Sequence, residues 1–223
     1  MAGRAARGSG HSLDGRAALG FARGTERGAR VVKLAGSDLG ELLGRLALGA
    51  EAAALIAGSA SVREALARLE AGGMLMEAVR LLAHALPKRE ATWWACVCAG
   101  HTAPHGRSEA ERAALAAAEQ WVRRQSEELR RAALAAAQAA GFASPEGWAA
   151  VAAFWSGDPL AGGALAGAPA GAQPLTGVAV VGALALASVR LQAERQRGRL
   201  ARFLESGHNI AAGGPGRLAP EEG

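Results

Sequence analysis

The chain has 223 residues and a formal net charge of +5 at pH 7, and half of its residues are hydrophobic although only 4% are aromatic. Alanine, the strongest helix former, is abundant, whereas tyrosine is absent and runs of β-branched residues are rare. The composition therefore favours an all-α fold over one built from strands. The length suits one domain with loosely attached ends.

The positive charge is concentrated at the N-terminus. Residues 1–30 hold six arginines against one aspartate and one glutamate, a net charge of +4, which leaves +1 for the other 193 residues. This stretch is rich in glycine and has no sustained apolar period, which predicts a disordered basic tail over 1–30. Arginine outnumbers lysine 23 to 2 in the whole chain. A GC-rich coding sequence explains that preference as easily as selection for phosphate contacts does.

Only two cysteines are present, Cys96 and Cys98. On a helix their side chains would project about 200° apart, so they cannot form a disulfide with each other. A disulfide-stabilised secreted scaffold is therefore not expected. The N-terminus also lacks the apolar segment of a secretory signal, and we expect a cytoplasmic protein.

Helix signals recur from Val31, and a single helical domain is predicted over 31–206. Ser61 with Glu64, and later Ser108 with Glu111, have the spacing of a capping box. The predicted N-caps are Ser37 or Asp38, Ser61, Ser108, Ser126 and Ser144. About eight helices on short loops are expected, arranged as an antiparallel bundle or an irregular helical stack.

The centre of this domain is the stretch Val79–Cys98. Leucines and Val79 form one apolar helical stripe that ends at Pro87, which cannot continue that helix and is suited to the first position of a second one. Paired tryptophans follow in the second helix, and another pair lies near residue 150. We expect all four to be core residues: Trp93, Trp94, Trp148 and Trp155.

The C-terminal third is less regular. A flexible loop rich in Gly, Ala and Pro is predicted over 157–174, followed by an apolar segment at 175–189. Because only 15 residues precede Arg190, and a membrane helix needs about 20, a buried core helix is favoured over a membrane span. Gly207 is expected to end the last helix, which leaves a disordered tail over 207–223.

Candidates for chemistry are sparse, and neither a catalytic residue nor a cofactor is predicted. Cys98, His101 and His105 are close in sequence and are residue types that bind zinc, but two of them lie on a loop and a fourth ligand is missing. A buried thiol followed by loop histidines is the favoured alternative. A reactive cysteine is also disfavoured, because the C-terminal end of a helix destabilises a thiolate.

Two charged clusters are candidates for interactions. In the first, Lys88, Arg89 and Glu90, the cations occupy the first helical turn, where positive charge is unfavourable. This mismatch indicates a specific contact, either with helix-end carbonyls or carboxylates of the same fold or with a partner. The second cluster is a basic face of the last helix, which would be a solvated surface or a phosphate-binding one. It contains Arg195, Arg199 and Arg202, opposite a packing stripe of Ala193, Leu200, Phe203 and Leu204.

Two segments, ALPKREATWWAC and GFASPEGWAAVAAFWSG, carry a resemblance to an uncharacterised bacterial protein family. The similarity extends over about Val31–Leu204, and the basic tail lies outside the family pattern. Members often occur among type VI secretion genes, including those for spike-tip and adaptor proteins. The resemblance therefore implies a type VI secretion context, and it assigns no catalytic residue.

The leading hypothesis is a non-enzymatic helical adaptor or accessory protein for type VI effector or spike loading, with a protein partner. One alternative is binding of nucleic acid or an anionic surface through the basic tail and last helix. A second alternative is a small metal-binding protein.

Overall fold

The computed structural model of the protein describes Leu34, residues 38–157 and residues 175–221. Within them all regular secondary structure is helical, which confirms the all-α prediction, although there are ten α-helices rather than about eight. The helices are α1 (Leu39–Leu46), α2 (Ala50–Ile56), α3 (Val62–Ala71), α4 (Leu75–Ala85), α5 (Lys88–His101), α6 (Glu109–Arg124), α7 (Glu127–Ala139), α8 (Pro145–Trp155), α9 (Leu175–Val189) and α10 (Gln196–Ala211). A single 3-10 turn, Ala193–Arg195, precedes α10. The predicted basic tail over 1–30, and the predicted loop 157–174 apart from Gly157, lie outside the described residues.

The helix starts follow the predicted capping residues. Asp38 and the four predicted serines each accept a hydrogen bond from a backbone N–H of the helix that follows. The capping box of Ser108 and Glu111 is complete, whereas Glu64 instead accepts from the backbone N–H of Ala60, at 2.8 Å. Pro87 is the residue before α5 rather than its first residue. Local side-chain chemistry thus sets most of the helix boundaries.

Helices α5, α8 and α9 form the centre of the stack. Helices α8 and α9 pack along each other, and α5 lies against both. The contact is built largely from fully buried alanines, which allow the helix backbones to approach closely: Ala149, Ala150, Ala152 and Ala153 on α8, and Ala179, Ala183 and Ala187 on α9. Helices α6 and α7 cover one side of α8. Helix α4 packs against α9, and α10 packs against α5 and α9.

Of the four tryptophans predicted to be core residues, only Trp94 is fully buried. Its indole N–H donates to the carbonyl oxygen of Phe203 at 2.8 Å. Trp93, Trp148 and Trp155 are partly buried and pack against the core from its edge. The indole N–H groups of Trp93 and Trp148 donate to carbonyl oxygens outside the helices, those of Pro215 and Phe142. Trp121, which the sequence did not single out, is 4% exposed.

The apolar segment at 175–189 forms α9, and it is a core helix of this fold. Residues on several sides of it are buried, as expected for a helix without a polar face. Among the described residues no single helix is long and apolar enough to cross a membrane, although α9 and the segment Ala193–Ala211 pass that test when taken together as a pair bent by 117°.

The C-terminal prediction was wrong. Helix α10 does not end at Gly207 but continues to Ala211, and residues 212–221, named here the C-terminal strap, fold back onto the body. Gly207 is needed for packing instead, since a Cβ there would lie 2.6 Å from Cδ2 of Leu82 and 2.9 Å from the ring of Trp94. A glycine signal in sequence does not distinguish a helix end from such a close approach.

This close approach predicts opposite effects for two glycines of α10. Gly207→Ala should lower the free energy of unfolding, because overpacking costs about 1–3 kcal/mol and exceeds the gain in helix propensity. Gly198→Ala is the matched control, since no atom lies within 4 Å of its added Cβ. It should raise the free energy of unfolding by up to about 1 kcal/mol. Urea unfolding of both variants checks the sign, and a stabilised Gly207→Ala protein would contradict the packing described.

Candidate functional site

Arg199 is the centre of the site that brings together most of the predicted candidates. It lies in the first turns of α10, yet only 4% of it is exposed. Its Nη1 donates to the carbonyl oxygens of Arg190 at 2.6 Å, Ser188 at 3.2 Å and Gln192 at 3.4 Å. These carbonyls lie at and just beyond the C-terminal end of α9, where backbone oxygens lack helical partners. Arg199 therefore caps α9.

The other edge of the same guanidinium binds the C-terminal strap. Nε and Nη2 of Arg199 both donate to Oε2 of Glu221, at 2.9 Å and 2.6 Å. These hydrogen bonds hold the pKa of the Glu221 carboxyl below its usual value, with nearby Arg195 and His101 adding to the effect. The pair is charge-assisted and largely shielded from solvent, which makes it stronger than an exposed ion pair.

His101, at the end of α5, fixes the strap next to this ion pair. The backbone N–H of Glu221 donates to the carbonyl oxygen of His101 at 2.7 Å. The ring Nδ1 of His101 donates in turn to the carbonyl oxygen of Ala219. Phe203 packs edge-to-face on the ring. The other ring nitrogen, Nε2, is buried and has no hydrogen-bond partner.

An open cavity of about 750 Å³ adjoins this cluster. Its charged lining consists of three arginines and three glutamates: Arg195, Arg199, Arg202, Glu194, Glu205 and Glu221. Arg195 lies 3.5 Å from the Glu221 carboxylate. Arg202 is exposed, and its side chain has no ion pair or hydrogen bond within the described residues. The charges of this lining therefore balance, and Arg202 is a cation within it that is open to a ligand.

The prediction of a solvated basic face on the last helix was therefore wrong for Arg199. Arg195 and Arg202 remain accessible at the cavity, but Arg199 points inward because it satisfies both helix-end carbonyls and a carboxylate. The predicted packing stripe is confirmed for Leu200, Phe203 and Leu204, which are buried. It is wrong for Ala193, which is exposed because it lies in the 3-10 turn before the helix.

The candidate metal ligands are not brought together. Cys98 is fully buried in α5, His101 binds the strap, and His105 is exposed in the loop before α6. Among the described residues no group of three potential ligands has the geometry to hold a metal ion. Burial raises the pKa of the Cys98 thiol and of the Cys96 thiol well above their ordinary value, so both are poor nucleophiles at neutral pH.

The cluster Lys88, Arg89 and Glu90 lies at the opposite end of α5. Nε of Arg89 donates to the carbonyl oxygen of Val122 at 2.8 Å, in the last turn of α6. Nζ of Lys88 donates to the carbonyl oxygen of Gly157 at 3.3 Å, just after α8. The sequence left open whether these cations bind helix-end carbonyls of the same fold. Both Lys88 and Arg89 make such contacts.

A buried ion cluster escaped the sequence analysis. Glu146, in the first turn of α8, is completely buried and accepts a hydrogen bond from Nη1 of Arg190 at 2.8 Å. Arg190 also lies 3.5 Å from Glu111, and Arg107 lies 3.7 Å from Glu146. The cluster joins α6, α8 and the end of α9. The sequence indicates this cluster only through Arg190, a charged residue directly after an apolar helix. That position does not reveal that Glu146 binds it.

A second and larger cavity, of about 970 Å³, lies between α1, α2 and the start of α3. Its lining includes Leu39, Leu43 and Ile56, and none of the predicted site residues. The Arg199 cluster is therefore the candidate functional site, because the predicted residues His101, Arg195, Arg199 and Arg202 converge there.

Comparison with known proteins gives one match. A family model described as a family of unknown function (DUF6931) matches residues 65–211. The match includes His101 and the three arginines of the site, whereas the C-terminal strap lies outside it. No curated protein and no solved structure matches.

The first prediction from the site concerns Arg199. Arg199→Lys keeps the positive charge but cannot reproduce the fork that binds carbonyls and carboxylate together, so it should lower the free energy of unfolding by about 2–4 kcal/mol. Arg202→Lys, in the same helix, should change it by less than about 0.5 kcal/mol. Chemical denaturation of the two variants tests this, and equal stabilities would show that the α9 cap contributes little.

A second prediction concerns His84, on α4, which lies outside the Arg199 cluster. Burial of its imidazole lowers its pKa to about 4, and the charge of Arg80 contributes to this shift. The unfolded chain binds a proton at this residue near pH 6.5, whereas the folded chain does so only near pH 4. The free energy of unfolding should therefore fall, by about 1–3 kcal/mol, as the pH is lowered from 6.5 towards 4. His84→Gln should show a weaker dependence in urea titrations over this range. Parallel profiles for the two proteins would contradict a buried neutral imidazole.

Proposed function

We propose that this chain, which belongs to the family of unknown function DUF6931, is a non-enzymatic helical adaptor that binds a protein partner in the cytoplasm and serves type VI secretion. The observation that carries the binding role is the Arg199 cluster, which holds an extended segment through its main chain and a carboxylate. That combination is typical of protein surfaces that recognise peptides. The family description supplies no activity.

The secretion context is supported by the two sequence motifs. ALPKREATWWAC forms the end of α4 and most of α5, and GFASPEGWAAVAAFWSG forms α8 with its flanking loops. Lys88, in the first motif, hydrogen-bonds to Gly157, the last residue of the second. The motifs are therefore neighbours in the fold, as expected if together they form one feature of the family.

A non-catalytic role is supported by how the reactive side chains are used. Both thiols have raised pKa values, and the charged groups at either end of α5 are engaged by the fold itself. Nucleic-acid binding has less support than protein binding, because the contacts of His101 with the strap are made to the N–H and carbonyl groups of a peptide main chain, which a nucleic-acid backbone lacks.

The proposal is tested by co-purification from the native bacterium. A tagged chain expressed at its natural level should enrich a type VI effector or spike component, and a chain with both Arg195→Ala and Arg202→Ala should enrich it less, since these arginines are accessible at the cavity. Arg124→Ala, an exposed arginine on α6, is the matched control. Recovery of no secretion component with the unaltered chain would contradict the proposal.

A further inference from the structure

We propose that the surface beneath the C-terminal strap is a peptide-binding site for an acidic extended segment of the protein partner, which replaces Glu221 on Arg199. The inference rests on the proposed adaptor function and names the chemistry of its partner. In the structure the strap itself occupies this site and acts as an internal ligand.

The body binds the strap mainly through the strap's backbone. Besides the two contacts of His101, Nε1 of Trp93 donates to the carbonyl oxygen of Pro215 at 2.9 Å. The Ser206 hydroxyl donates to the carbonyl oxygen of Gly216 at 2.5 Å, and Oδ1 of Asn209 accepts from the Gly216 N–H at 2.8 Å. Contacts with backbone atoms do not depend on the side chains of the bound segment. Gly216 is an exception, because its φ is +61° and an added Cβ would lie 2.4 Å from Cγ1 of Ile210. The surface can therefore hold a segment of different sequence that keeps a glycine at this position.

Two side chains of the strap supply specificity. Glu221 places its carboxylate on the Arg199 fork, and Leu218 packs against the core. A competing segment would need a carboxylate at the position of Glu221, an apolar residue three positions earlier and a glycine five positions earlier. Because Arg199 is held by the end of α9 whether or not a carboxylate is bound, its fork is preorganised for that group.

The cavity next to the strap has capacity for a second acidic residue. Without Glu221 the lining of the cavity would hold three arginines and two glutamates, a net charge of +1, which a carboxylate of the bound segment would balance. Arg202 offers a guanidinium that has no partner within the described part of the chain. Arg202 is therefore the group that a second carboxylate of the bound segment would contact, in addition to the one that replaces Glu221 on Arg199.

The extent of the family match agrees with an exchangeable strap. His101, Arg199 and Arg202 lie within the matched residues 65–211, whereas every residue of the strap lies beyond them. The match thus contains the surface without its covering segment.

The test uses the full chain and a fluorescein-labelled peptide, PGRLAPEE with an amidated C-terminus, which copies residues 215–222. Glu221→Gln should release the strap, seen as faster trypsin cleavage after the exposed Arg217. By fluorescence anisotropy this variant should bind the peptide at least about tenfold more tightly than the unaltered chain, whose tethered strap competes at high effective concentration. A control peptide with glutamine in place of both glutamates should bind at least about tenfold more weakly.

Arg202→Ala, added to Glu221→Gln, should weaken binding of the acidic peptide about threefold to tenfold, while Arg124→Ala in the same background should leave it unchanged. The inference is overturned if the strap is released and the peptide does not bind, or if the acidic and control peptides bind equally. It is also overturned if Glu221→Gln leaves trypsin cleavage unchanged, because the ion pair would then not hold the strap.

This test is independent of the one for the adaptor role. Partner capture without peptide binding would leave the adaptor function standing and place its interface elsewhere. Peptide binding without capture of a secretion component would retain the site and contradict the type VI association.

Discussion

This structure depends on one kind of interaction, in which an arginine side chain binds the C-terminal carbonyl oxygens of a neighbouring helix. Among the described residues, five helices are capped in this way by arginines from other elements: α1 by Arg80, α2 by Arg68, α6 by Arg89, α8 by Arg130 and α9 by Arg199. The last carbonyls of a helix have no partners within it and carry partial negative charge. A guanidinium satisfies them and, unlike a local cap, also fixes one helix relative to another.

This mode of attachment fits the composition of the chain. Alanine helices bury little apolar area per residue, so packing alone gives weak control over how one helix sits on the next. Arginine supplies five donors in a rigid planar fork, so different edges of one guanidinium can bind a carbonyl and a carboxylate in a fixed geometry that the compact ammonium of lysine does not provide. Arg130 does so with Phe154 and Glu127, and Arg199 with the end of α9 and Glu221. The excess of arginine over lysine therefore has a structural explanation as well as a compositional one.

Local features of the fold were predictable from sequence, and long-range ones were not. Ser61, Ser108, Ser126 and Ser144 act on residues three positions away, so their capping roles could be predicted from spacing alone. The inward position of Arg199 could not, because its partners at residues 188–192 and 221 are defined only once α10 folds back along the core. Gly207 was misjudged for the same reason: the atoms that require a glycine belong to Leu82 and Trp94, more than a hundred residues earlier.

The double use of Arg199 links stability to recognition. Its carbonyl contacts would persist without the strap, because they join α10 to α9, which both belong to the packed body. A carboxylate that arrives at this site therefore meets a guanidinium that is already oriented, so little conformational entropy is lost on binding. An arginine on a free surface would have to be ordered by the ligand itself. The capping interaction that holds α10 on α9 thus also orients a guanidinium for an acidic group.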